Sequence, residues 1–190
     1  MNWTVFAVLA YVVLAMHKGL APALAIDTRW GPVQPQFHLL LLVFVGMFAT
    51  PRATLVAWAL MGLMLDLLFV QTHGTGRAAT GIVLVGPHTL GLLAAGAVLL
   101  QVRTMVLRTH PISHGFCTLV SALAWALVVV LILVIRRWWY GDLPYSAVGD
   151  LMLRLVSGLY TAGLAVLIAV PVVRLASAMG TPLHRHGGRR

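Results

Sequence analysis

Between Thr50 and Gly76 the chain reads TPRATLVAWALMGLMLDLLFVQTHGTG, an apolar helix opened by Pro51-Arg52 and closed by a Gly/Thr/His turn. A helix needs roughly 20 mostly apolar residues to cross a bilayer, and this stretch supplies them. It carries one acid, Asp66. At the centre of a membrane helix an aspartate costs about 2.5–3.5 kcal/mol on the insertion scale. Such a group has to face protein or a water-lined cavity and find a partner there. Helical spacing puts Ala59, Gly62, Asp66 and His73 on one stripe, with Leu60, Leu63, Leu67 and Leu68 beside it. The small residues below the acid permit a second backbone to approach closely. That stripe points at protein.

The rest of the chain repeats the theme. Apolar segments fall at about 3–24, 36–50, 53–71, 79–101, 114–135 and 150–174. Of 190 residues, 61% are hydrophobic and 9% charged, against about 25% charged in soluble domains. The expected class is an all-α polytopic membrane protein of about six transmembrane helices. Residues 1–176 form its membrane domain, and 177–190 a basic, disordered cytoplasmic tail. The second segment, at about 22 Å, is short for a ~30 Å core, so it either thins the bilayer or lies inside the bundle. Met1-Asn2-Trp3 lacks a basic n-region, which favours an uncleaved first helix over a signal peptide despite Ala23-Leu24-Ala25.

Charge sets the orientation and removes several function classes. The net charge of +9 comes from residues between spans and in the tail GTPLHRHGGRR, a topology signal and a contact for anionic lipids, not a nucleic-acid patch. With the N-terminus inside, Arg52, Arg103, Arg108, Arg174, Arg185, Arg189 and Arg190 are cytoplasmic. Lys18, Arg29, Arg77, Arg136, Arg137 and Arg154 then lie outside, seven against six of the 13 basic residues. Both termini are therefore expected in the cytoplasm. Trp30, Trp138, Trp139, Tyr140 and Tyr145 suit an interfacial belt. Cys117 is the one cysteine, so no intrachain disulfide can form.

Candidate chemistry is sparse. The acids are Asp27, Asp66, Asp142 and Asp150, with no glutamate, which excludes HExxH zinc proteases. His110 and His114 have ligand-compatible spacing, but Pro111 separates them, and His184 and His186 lie in the tail. No carboxylate or cysteine completes either set, so no metal and no cofactor is expected. Ser113-His114 and Ser157-Gly158 lack a GxSxG elbow and a well-placed base, so a serine protease is not expected. On the sixth segment Asp150, Arg154, Ser157 and Thr161 form a polar stripe flanked by Gly158-x-x-x-Ala162. Asp66 and Arg154 sit roughly 6–8 Å below the same surface, which makes Arg154 the depth-matched counter-ion. Asp150 competes for that guanidinium at i,i+4. His73 and Arg77 stand behind Arg154 as partners for Asp66, and His88, about ten residues into the fourth segment, lies deeper and is the weaker candidate. In that segment Pro87 interrupts the ladder, and Gly91-x-x-x-Ala95 suits tight packing.

The order of features, PQFHLLLLVFVGMFATPR followed by WALMGLMLDLLFVQTHGTG, resembles the MreD family, rod shape-determining membrane proteins of the bacterial elongasome. Gly62 and Asp66 match its G-x-x-x-D signature, and Pro35 its proline before the span. The resemblance implies a non-enzymatic inner-membrane scaffold whose fold is similar to the S-components of vitamin transporters. The partners it implies are an MreC-like single-pass protein, which links MreB filaments to the RodA–PBP2 peptidoglycan synthase, and a second copy of the chain. Gly62, Gly158 and an Asp66–Arg154 pair, with Asp150 nearby, are the expected docking and structural residues. The rival expectation is an S-component-like, small-molecule-binding transport subunit, against which the scarcity of Asn, Gln and acids in the spans argues.

Overall fold

The computed structural model describes residues 2–68, 70–73, 80–83, 86–107, 110–140 and 146–178. Six helices account for nearly all of them: α1 (Trp3–Gly19), α2 (Phe37–Phe48), α3 (Pro51–Leu68), α4 (Pro87–Val102), α5 (Pro111–Tyr140) and α6 (Ala147–Ala178). Of these α3, α5 and α6 are long and apolar enough to cross a membrane, while α1, α2 and α4 are shorter apolar helices. The chain is an all-α membrane protein. Its core is apolar like that of a soluble domain, but so is much of its outside, and several small polar groups lie within. Thr54, Asp66, Thr118, Ser121 and Thr161 are fully buried, whereas Leu131, Leu159 and Leu167 are exposed. Lipid tails solvate the outside as well as leucine packing would, so the polar groups are the ones with most to gain inside.

Helix boundaries follow local chemistry. Asn2 caps α1 by accepting from the Thr4 and Val5 N–H groups at 3.1 and 3.4 Å. The buried stripe Phe6, Ala10 and Leu14 turns α1 onto α2. The Gly/Pro-rich connection, read as a loop, contains a small antiparallel hairpin of β1 (Ile26–Thr28) and β2 (Gly31–Val33). Gly31 at φ +125 and the Thr28 hydroxyl, donating to the Gly31 carbonyl at 2.7 Å, make its turn. Thr50 and Pro51 then join α2 to α3 in a tight hairpin, with the Thr50 hydroxyl accepting from the Ala53 N–H.

The short second segment lies inside the bundle. At 12 residues, about 18 Å long, α2 touches all five other helices and buries Phe37, His38, Leu39, Leu42, Val43, Gly46 and Met47. Its open C-terminal carbonyls are met from α4, where Arg103 donates to the Gly46 and Ala49 carbonyls at 2.6 and 2.9 Å. Cationic donors at a helix C-terminus stabilise both the carbonyls and the dipole. Arg103→Gln is expected to lower stability by about 1.5 kcal/mol, the low end for charged hydrogen bonds at a half-exposed site. A thermal-unfolding midpoint equal to wild type would contradict that assignment.

Two sequence expectations are corrected here. The fourth apolar segment is not one helix from residue 79. Its start forms β4 (Thr80–Val83), paired antiparallel with β3 (Val70–His73), and α4 begins at Pro87. Pro87 therefore opens a helix instead of kinking one, preceded by Gly86 at φ +131. The fifth helix also outruns its segment, reaching Tyr140. Trp138 and Trp139 thus stand on its last turn, 89% and 78% exposed. The tail from residue 179 onward, with His184 and His186, lies outside the described residues, as do Arg77, Asp142 and Tyr145.

Candidate functional site

Asp66 lies in the last turn of α3, two residues from its end, and is fully buried. Its partner is the start of α4. The Gly86 and Thr89 backbone N–H groups donate to Oδ2 at 2.8 and 3.0 Å, and the Thr89 hydroxyl donates to it at 2.6 Å. The His88 N–H donates to Oδ1 at 2.9 Å, and His88 Nδ1 meets the same oxygen at 2.9 Å. Pro87 has no N–H to offer, so one carboxylate satisfies the donors exposed at this helix start. The acid of one helix caps the next. The positive end of the α4 dipole favours negative charge at that place.

Gly62 makes this approach possible. A Cβ there would stand 2.5 Å from Thr89 Cα and 3.0 Å from the His88 carbonyl oxygen, so the backbone of α4 occupies the space of a side chain. The small-residue stripe around the acid is consumed inside the chain. Gly158 behaves alike: a Cβ on it would lie 2.8 Å from Ala122 Cβ of α5. Gly91 brings α4 against Trp125 and Val129 of α5. These close contacts join neighbouring helices of one molecule.

The expected Asp66–Arg154 ion pair is not formed. Arg154 donates through Nε to Asp150 Oδ2 at 2.8 Å, the i,i+4 competitor. Between the two groups stand His88, bonded to Asp66, and Trp125, against which Arg154 lies. The His88 ring centroid is 5.8 Å from that of Trp125, and the Arg154 guanidinium carbon is 5.4 Å from the same ring. His88 was placed too deep because its helix was started eight residues early. The Gly86-Pro87 pair, a helix-opening signal, could have corrected this.

Beside that cluster is a cavity of about 270 Å³, bounded by the ends of α1 and β2 and by α2, α4, α5 and α6. Its wall is polar for a membrane interior. Gln36, His38 and Trp125 are 7%, 1% and 5% exposed. Among the described residues, Gln36 Oε1, both His38 ring nitrogens and Trp125 Nε1 have no hydrogen-bond partner. Leaving such an atom unsatisfied costs about 1–3 kcal/mol. The His38 ring is edge-on to both His17 and Trp125, with centroids 5.1 and 5.3 Å away. Ser157 also lines it, and one turn further along α6 Thr161 Oγ1 accepts from the Gln36 N–H at 2.9 Å. The polar stripe of α6 was legible in the sequence. Gln36 and His38, at the start of a leucine run, were not, because nothing in that run's periodicity marks them as lining a void.

No group of three or more His, Cys, Asp or Glu side chains among the described residues is arranged to hold a metal ion. Comparison of the chain with protein-family models, with curated proteins and with solved structures finds no match.

Proposed function

We propose that this chain is a scaffold of bacterial cell-wall elongation in the inner membrane, as the resemblance of its Gly62-x-x-x-Asp66 stretch to the MreD family implies. In this reading it binds an MreC-like single-pass protein through exposed helix faces and links MreB filaments to the RodA–PBP2 synthase, with both termini cytoplasmic. The observation that supports it best is the use made of the acid in the spans. Asp66 receives five hydrogen bonds from α4 and is closed off from solvent and lipid. Proton- or ion-coupled carriers keep such groups in relays or open to a water-filled path. A carboxylate bound on both oxygens serves rigidity instead. A fixed platform is what helix–helix recognition requires, because van der Waals packing supplies most of its energy in lipid.

Depletion of the protein in its own cells tests this. Rods are expected to become spheres, and the tagged protein is expected to retain a partner identified by mass spectrometry as one membrane helix joined to a coiled coil. Unchanged cell dimensions together with no such partner would sink the proposal.

A further inference from the structure

Polar side chains line the cavity beside Trp125. Its buried lining offers an acceptor at Gln36 Oε1, a donor at Trp125 Nε1, and one of each on the His38 ring, none of them bound to another described residue. Arg154 also lines it, giving only its Nε to Asp150 among the described residues, so the terminal nitrogens of a planar fork remain for a second acceptor. Such a fork matches a carboxylate, with two parallel N–H groups for two oxygens.

Charge and size narrow the occupant. Arg154 is paired with Asp150, so the pair leaves no net positive charge on the wall to balance a dianion such as phosphate. A molecule with its own balanced charges fits better. A volume of about 270 Å³ lies just under the 300–1,000 Å³ of drug-sized pockets. It corresponds to about nine water molecules of liquid volume, the scale of a small metabolite. Three imidazoles border the space, but they form no metal-binding group.

We propose that this cavity binds a small zwitterion of amino-acid size, its carboxylate held by Arg154 and the Trp125 N–H and its N–H donors by Gln36 and His38. The proposal stands apart from the scaffold reading and survives its failure. Asp150 and Arg154 keep 23% and 17% of their side-chain surface exposed, and Pro32 of β2 is an exposed residue of the same lining.

Thermal unfolding of the full chain in lipid nanodiscs tests it, with glycine, L-alanine, L-serine and L-threonine as probes. At least one of these is expected to raise the unfolding midpoint saturably. Glycinamide, which lacks the carboxylate, and acetate, which lacks the ammonium, should need at least about tenfold higher concentration for the same shift. Arg154→Gln should abolish the response. Trp125→Phe, which keeps a ring but deletes Nε1–H, should weaken it about tenfold. Should Arg154→Gln fail to fold, Trp125→Phe decides alone. The absence of a shift with all four amino acids overturns the proposal, as does an undiminished response in a folded variant. Equal shifts from acetate or glycinamide would likewise overturn it.

Discussion

Asp66→Leu is expected to lower the stability of the bundle by about 3–5 kcal/mol, the range for removing one member of a buried charged cluster. Leucine nearly matches aspartate in breadth and suits the lipid-facing composition of α3, so the loss would not come from helix propensity. It would come from α4. The Gly86, His88 and Thr89 N–H groups, the Thr89 hydroxyl and the His88 ring all lose their acceptor at a buried or part-buried place. Asp66→Asn should fall between leucine and wild type, at about 1–3 kcal/mol. Its one oxygen can replace Oδ2 toward Gly86 and Thr89, and its amide can donate to a His88 ring nitrogen of the other tautomer. The His88 N–H is then left facing an NH2 group. Thermal unfolding in detergent, read beside gel filtration, orders the variants as leucine, asparagine, wild type from least to most stable. A leucine variant that melts with the wild type would remove the cap from the account of stability.

The second large effect is expected at Gly62. Adding one methyl group there places carbon 2.5 Å from Thr89 Cα, and this neighbour is backbone, with no rotamer by which to withdraw. Gly62→Ala should cost about 1–3 kcal/mol, as overpacking of a tight contact does, and Gly62→Leu the upper end of that range or more. The damage is geometric as well as energetic. Pushing α3 from α4 lengthens the five hydrogen bonds at Asp66, so combining Gly62→Leu with Asp66→Leu should cost less than the sum of the two. Full additivity in that double-mutant cycle would show the glycine and the acid to be independent, contrary to their shared contact with His88 and Thr89.

How much of this the sequence could disclose depended on the residue. The helical class, the inward stripe of α3 and the need of Asp66 for a partner followed from apolar run lengths and from the cost of a bare charge in lipid. The close approach at Gly62 followed from the absence of a side chain. The identity of the partner did not follow, because it turned on where α4 begins. A start at residue 79 buries His88 mid-helix, whereas a start at Pro87 exposes three N–H groups to Asp66. Periodicity cannot see that boundary, since Thr80–Val83 reads no differently as a strand than as a turn of helix. Arg154 was assigned by depth along the membrane normal, which says nothing about the rotation of a helix around its axis. The cavity was the least legible feature, for it needs Gln36 just before α2, Trp125 of α5 and Arg154 of α6 to meet.

The brevity of α2 bears on how the molecule is made. A 12-residue helix reaches only about two-thirds of the way through the oily layer. Released alone from the insertion machinery, it would leave uncovered peptide groups at one end and be pushed back toward water. The turn at Thr50-Pro51 ties it to α3, so the two partition together, the longer carrying the shorter. Only when α4 arrives does Arg103 close the far end of α2 and does Asp66 receive its donors. Assembly of the first half of this protein thus waits for its fourth helix.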